Sequence, residues 1–256
     1  MPTVSRRVNA HVVALLAVIG AALAVPGLVY AASGGAGLGG SGSKGSSNST
    51  ASGQVQQANV PVSASGNGIT VRTLASAILR QPTKFTGTIG SGAAGETVEI
   101  QRKGRETNWQ WANTTHDTAS SSGSFTAVWP TDHIGEFAIR AVIVSGGAAH
   151  VAAASPSLTI TVFRPAIATQ YGPGFYGSRT ACGEILKRGT IGTANRTLKC
   201  GTPVAIYYDG KMMVVPVIDR GPYANHADWD LTTATAKAMG IPGTATIGAV
   251  SLPKSG

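Results

Sequence analysis

The sequence predicts a mostly β protein with two folded units: an immunoglobulin-like β-sandwich, then a second, denser β domain carrying one short helix. Three observations carry this expectation. Apolar residues recur with period two between about Ile69 and Phe163. Glycine- and serine-rich turns punctuate them at Gly90-Ser91-Gly92, Ser120-Ser121-Ser122-Gly123 and Ser145-Gly146-Gly147, at spacings suited to a sandwich. Charged residues make up only 12% of the 256 while glycine numbers 34, a composition that suits short strands and turns rather than a helical bundle.

Residues 1–31 hold Arg6 and Arg7, an apolar run from Val12 to Val25, and a small-x-small ending at Val29-Tyr30-Ala31, the pattern of an export signal peptide. Gly20, Pro26 and Gly27 interrupt the run, so cleavage is expected; an uncleaved signal would leave a membrane anchor. Ser5-Arg6-Arg7 is compatible with a twin-arginine route, and no cysteine follows to accept a lipid. Residues 32–59, dominated by Gly, Ser, Ala, Asn and Gln, cannot bury enough apolar surface to offset chain entropy and are expected to be a flexible tether.

The sandwich is expected over 60–164. Val98 and Ile100 alternate with polar neighbours; Phe125, Ala127 and Trp129 form one face; Phe137, Ile139, Ala141 and Ile143 another; and Leu158, Ile160 and Val162 alternate with threonines. Trp109 and Trp111 are one strand step apart. They are either core aromatics, which that spacing favours, or platforms for stacking sugars.

Arg164-Pro165 is read as closing the last sandwich strand and marks the change to the second domain, expected over 165–256. Its clearest strand is Met212 to Ile218, with Pro216 implying a bulge, an edge or a non-ladder position. Asp209-Gly210 reads as a hairpin turn. Asp230 reads as an N-cap, followed by a helix from Leu231 to Met239 and a stop at Gly240-Ile241-Pro242. Cys182 and Cys200 are the only cysteines, and an oxidising compartment would pair them, closing a loop worth about 3 kcal/mol in the chain-entropy model.

The formal charge is +9, and about +7 once Arg6 and Arg7 are removed, with 18 basic residues left against 11 carboxylates. No Lys/Arg stripe is interleaved with aromatics, so nucleic acid is not expected and the anionic polymers of a bacterial wall are the better partners. The five histidines have no ligand-spaced partners, so neither metal nor other cofactor is expected. With no phosphate loop, no nucleophile elbow and both cysteines paired, carboxylates remain for chemistry.

The second domain contains five acids, Glu184, Asp209, Asp219, Asp228 and Asp230. Asp219 ends an apolar strand before the tight Arg220-Gly221-Pro222 turn. Partial burial there would raise its pKa toward that of a general acid, whereas bonds from turn amides and a pairing with Arg220 would lower it. Glu184, beside Cys182, is either a solvated loop acid or an acid fixed at the barrel's start, and Asp230 has a structural reason as a cap.

The stretch Gln170-Tyr171-Gly172-Pro173-Gly174-Phe175-Tyr176-Gly177, then Thr180-Ala181-Cys182-Gly183-Glu184, Ala194-Asn195-Arg196-Thr197-Leu198, Gly201-Thr202-Pro203-Val204, Val217-Ile218-Asp219-Arg220-Gly221-Pro222-Tyr223 and Trp229-Asp230-Leu231 resembles, in order and spacing, the rare lipoprotein A-like (RlpA-like) double-psi β-barrel family. The resemblance covers about residues 167–250, and the two-cysteine form is similar to that of actinobacterial members. It implies a double-psi barrel and the activity of the family's best-known members, lytic transglycosylases that cut peptidoglycan between N-acetylmuramic acid and N-acetylglucosamine and leave a 1,6-anhydro end. It places the catalytic aspartate on Asp219 and an important glutamate on Glu184. Related barrels, the expansins and some endoglucanases, have an important aspartate at the position of Asp230. Tyr171, Thr180, Asn195, Arg220, Tyr223 and Asp230 would then bind substrate. The family usually has histidine where this chain has Asn195, which can donate a hydrogen bond but cannot titrate.

The expectation is therefore a monomeric secreted or cell-envelope enzyme acting on peptidoglycan glycan strands. Two rivals are a non-catalytic, expansin-like glycan-binding or wall-loosening module and a protein-interaction protein with an inert barrel, whose sandwich would expose an apolar patch.

Overall fold

The computed structural model describes residues 53–145, 150–224 and 226–253. The export signal and the tether up to residue 52 lie outside them.

The alternation found in the sequence becomes two sheets around one core. One sheet orders Pro61–Gly66, Ile69–Leu74, Thr83–Ile89 and Ser124–Trp129. The other orders Ala112–Thr118, Thr97–Lys103, Gly135–Ser145 and the first half of Leu158–Tyr171, with Ser76–Ile78 and His150–Ala154 alongside. Phe125, Ala127 and Trp129 point inward, and so do Phe137, Ile139 and Ile160 from the facing sheet. Trp129 meets Phe137 edge-on at 5.9 Å. Gly87 is required by this packing: a Cβ there would lie 2.0 Å from the Thr70 carbonyl oxygen and 2.4 Å from the Phe125 ring.

Neither Trp109 nor Trp111 joins the core, against the reading that their spacing favoured. They belong to the irregular passage after the 3₁₀ turn Arg105–Thr107, where period two has no meaning. Trp109 is 55% exposed, and Trp111 is stacked by Arg140 at 4.2 Å and Lys103 at 5.0 Å.

The second unit is a closed six-stranded barrel, as a double-psi β-barrel requires. Its strands run in the order Trp229–Thr232, Thr193–Ala194, Lys211–Asp219, Pro203–Tyr208, Ala245–Ser251 and the second half of Leu158–Tyr171. That last strand closes the ring by pairing in parallel with Trp229–Thr232, Thr169 opposite Asp230 and Tyr171 opposite Thr232. Val204, Ile206, Met213, Val215, Val217, Leu231 and Met239 fill the interior. Asp209 and Gly210 both adopt left-handed backbone between paired Tyr208 and Lys211, the hairpin geometry expected of Asp-Gly.

Three features differ from the sequence reading. Arg164-Pro165 ends no strand; Leu158–Tyr171 runs on through it, pairing with Gly135–Ser145 before and Ala245–Ser251 after. The tail of the expected tether is held: Gln56 lies opposite Met212, and the Gly53 N–H donates to the Val214 carbonyl at 2.8 Å. Thr193–Ala194 reaches only Val217 to Asp219, so the other end of Lys211–Asp219 has an open edge whose backbone groups need partners. Finally, Asp230 does not cap the helix. Trp229–Thr232 is a strand, the helix is Thr233–Met239, and its N-cap is Thr232, whose hydroxyl accepts from the Thr235 N–H.

The shared strand carries a packing joint. Phe163, fully buried, sits with Ala205, Val214 and Val250 of the barrel and Ile78 of the sheets, its ring 5.3 Å from that of Tyr207. Phe163→Ala is expected to lower the unfolding free energy by about 3–5 kcal/mol in denaturant melts, as large-to-small core changes do. The loss should fall on one transition seen by probes in both units. Two separate transitions, only one of them shifted, would show that the joint does not couple them.

Candidate active site

The barrel brings together four side chains that lie far apart in the sequence. Tyr171 ends the shared strand, Asp230 lies on the parallel neighbour, Asp219 ends Lys211–Asp219, and Glu184 lies on the turn 180–184. That turn is tied internally: the Thr180 N–H donates to the Glu184 carbonyl at 2.7 Å, and the Glu184 N–H donates to the Thr180 hydroxyl at 3.2 Å. It is also tied to the Asp219 strand. The Cys182 N–H donates to the Ile218 carbonyl at 3.3 Å, and the Cys182–Cys200 disulfide anchors the turn covalently.

Asp219 is held by backbone. Its Oδ1 accepts from the Ala181 N–H at 2.9 Å and the Arg220 N–H at 2.8 Å, which orients the carboxylate. Arg220 does not pair with this carboxylate. Its guanidinium donates to the carbonyls of Asn195 and Asp219 at 3.3 and 3.4 Å and approaches Cys200 Sγ at 3.3 Å, so it ties three strands of loop together.

Asp230, freed from capping, is half-buried within the site. Burial raises its pKa, the Thr169 hydroxyl donating to Oδ1 at 2.8 Å opposes that rise, and the Asp219 charge adds to it. The Tyr171 hydroxyl is buried beside the Asp219 carboxylate. Its pKa is pushed up by burial first, then by the charges of Asp219, Asp230 and Glu184, so it stays a neutral O–H facing three carboxyl groups.

The remaining expected residues divide by accessibility. Thr180 is buried and shapes the turn. Asn195 turns its side-chain carbonyl back on its own loop, accepting from the N–H groups of Thr197 and Leu198 at 3.1 and 2.9 Å, so only its NH₂ is available to a ligand. Tyr223 is 80% exposed. Among the described residues no group of three or more His, Cys, Asp or Glu is placed to hold a metal ion.

Two residues escaped the sequence reading. Thr169, the partner of Asp230, lies two positions before Tyr171 on the same strand face, a relation period two would have shown had that strand been recognised. Phe175 is 58% exposed, with its ring edge-on to Tyr171 at 6.4 Å. Gly172 permits this turn, since a Cβ there would lie 2.7 Å from the Tyr176 hydroxyl.

A protein family described as lytic transglycolase matches residues 167–252. The "Probable endolytic peptidoglycan transglycosylase RlpA" of Synechocystis sp. is 41% identical over 85 residues, 32% of this chain and 26% of that protein. The protein of the same name from Treponema pallidum is 39% identical over 74 residues, 28% of this chain and 23% of its own. The "Endolytic peptidoglycan transglycosylase RlpA" of Campylobacter jejuni is 33% identical over 75 residues, 28% of this chain and 27% of its own. The chain thus spans about a quarter of the length of these relatives. Within that span, residues 167–252 form a double-psi β-barrel domain of the RlpA-like family.

Proposed function

We propose that the barrel acts on peptidoglycan glycan strands in the cell envelope as a lytic transglycosylase, with Asp219 as acid/base. The observation that carries this reading is the convergence of Asp219, Glu184 and Asp230 on the buried Tyr171 hydroxyl. The activity for which these relatives are named supports the substrate class. The signal peptide at 1–31, the tether and the immunoglobulin-like character of the two-sheet unit belong to the same proposal, which places the barrel outside the cytoplasm near its polymer.

In this mechanism Asp219 Oδ2 meets the glycosidic oxygen. Proton transfer to that oxygen accompanies cleavage of the bond to the muramic C1 as oxocarbenium character develops. The muramic 6-hydroxyl then attacks C1 and returns its proton to the carboxylate, so the anhydro ring forms and no water is consumed. Burial and the neighbouring Asp219 charge both raise the pKa of Asp230, which favours its protonated form beside the site. Glu184 and the neutral Tyr171 hydroxyl flank the developing positive charge, and the exposed Phe175 and Tyr223 rings offer platforms for sugar faces.

A second reading, a non-catalytic expansin-like binding module, is favoured by one observation: Asn195 cannot titrate, and its carbonyl is consumed by its own turn.

Mass spectrometry of purified sacculi after incubation separates the two. Wild type is expected to release 1,6-anhydro-muramic products and Asp219→Asn to lose roughly 10²–10⁴-fold of that rate while still binding sacculi, the range for a general acid–base group. Asn195→His is expected to raise release. A wild type that binds sacculi and releases no anhydro product leaves the expansin-like reading.

Asp230 makes a separate, signed prediction. A carboxyl whose folded pKa is raised binds its proton more tightly when folded, so its contribution to stability is present at low pH and is lost as pH rises through that pKa. Asp230→Asn removes this loss and keeps an oxygen for Thr169 to bond. At neutral pH its Tm is expected to equal or exceed that of wild type while release of anhydro products falls; a lower Tm would make Asp230 a structural residue.

A further inference from the structure

Trp109 is held in a backbone conformation that bulky residues avoid. After the turn Arg105–Thr107, Asn108 and Trp109 both have positive φ, 50° and 59°, and the Trp109 N–H is pinned to the Gly104 carbonyl at 2.9 Å. Such outliers persist where surrounding structure fixes them, and they collect at binding sites. Here the result is to present an indole ring at the surface rather than in the core.

The ring lines a cavity of about 280 Å³ whose walls include Arg105, Ile134, Glu136, Phe137 and Val250, so that the two-sheet unit and the last barrel strand both contribute. Glu106, also at this wall, is already engaged, accepting from Arg102 Nε at 2.6 Å. The groups that remain form a set. The Trp109 indole N–H, the Arg105 guanidinium and the Glu136 carboxylate have no hydrogen-bond or ion-pair partner among the described residues. Glu136 is exposed as a residue, yet the protein crowded around its carboxyl raises its pKa. Trp111 offers no such platform, because Arg140 and Lys103 already cover it.

We propose that this cavity is a saccharide-binding site separate from the acidic cluster of the barrel, taking one or two pyranose rings on Trp109. The chemistry selects the class. A flat aromatic surface suits the C–H face of a sugar, and apolar walls with a few convergent polar groups suit a ligand that is apolar on its faces and hydroxylated at its edges. One guanidinium and one carboxylate offset each other in charge, so a neutral ligand fits, and an anionic polymer would meet Glu136. The volume, just below the range of drug-sized sites, admits one or two rings and no folded partner.

The choice of an amino-sugar probe rests on the glycan reading of the barrel, and a site-resolved readout keeps the two apart. The chain has four tryptophans, so a ¹⁵N-correlated spectrum of the full protein shows four indole N–H signals, with that of Trp109 identified by its loss in Trp109→Phe. Titration with β-1,4-linked N-acetylglucosamine tetramer is expected to move the Trp109 signal saturably. Glu136→Ala and Arg105→Ala should each weaken that transition roughly tenfold, as loss of a charged hydrogen-bond partner does, and Asp219→Asn should leave it unchanged. A Trp109 signal that stays still at millimolar tetramer, or one that moves with equal affinity in both variants, overturns the proposal. Either result is independent of whether anhydro products are released.

Discussion

Everything in this molecule that bears on chemistry depends on one backbone constraint, the continuity of Leu158–Tyr171. Its first half is hydrogen-bonded into the two-sheet unit through Gly135–Ser145, and its second half both pairs with Ala245–Ser251 and closes the barrel against Trp229–Thr232. Because the same strand ends at Tyr171, closing the barrel also sets the register that brings Thr169 beside Asp230 and the Tyr171 ring over the acidic cluster. Phe163, midway along it, fills the joint between the units. A strand with a free break at Arg164-Pro165 would have left the barrel's closing edge to find its own register.

The acidic cluster combines rigid and costly parts. Asp219 is oriented by two backbone N–H groups, and Glu184 is carried on a turn held by a disulfide and by bonds to the Asp219 strand. Asp230 and Tyr171 are groups whose ionisation the site resists. Carboxyl groups whose surroundings differ in this way can divide acid and base roles between them at one pH.

The strands of the two-sheet unit were legible because alternation is a direct consequence of pleating: Phe125, Ala127 and Trp129, or Phe137, Ile139 and Ala141, are buried as their spacing requires. The family motifs pointed to Asp219 and Glu184, which local chemistry had left open, and the fold brings both to the Tyr171 side chain. Two of the misreadings share a cause, since each concerned a partner distant in sequence. Asp230 looked like a cap because an apolar run follows it, but pairing with Thr169 on one side and Ala194 on the other makes it a strand residue, with Thr232 two places on as the cap. Residues 53–57 looked like tether because composition says nothing of an open edge on Lys211–Asp219. Trp109 and Trp111 looked like core because spacing alone does not distinguish a strand from a turn with two left-handed residues.

The claim on which the functional account turns is that Asp219 and Asp230 form one electrostatic unit. Following the carboxyl carbons of Asp219, Asp230 and Glu184 by NMR through a pH titration measures this directly. The account predicts that Asp230 titrates above the ordinary carboxylate range and that Asp219→Asn lowers its pKa, because the Asp219 charge helps to raise it. An Asp230 that titrates like a solvated aspartate, unmoved by Asp219→Asn, would contradict it.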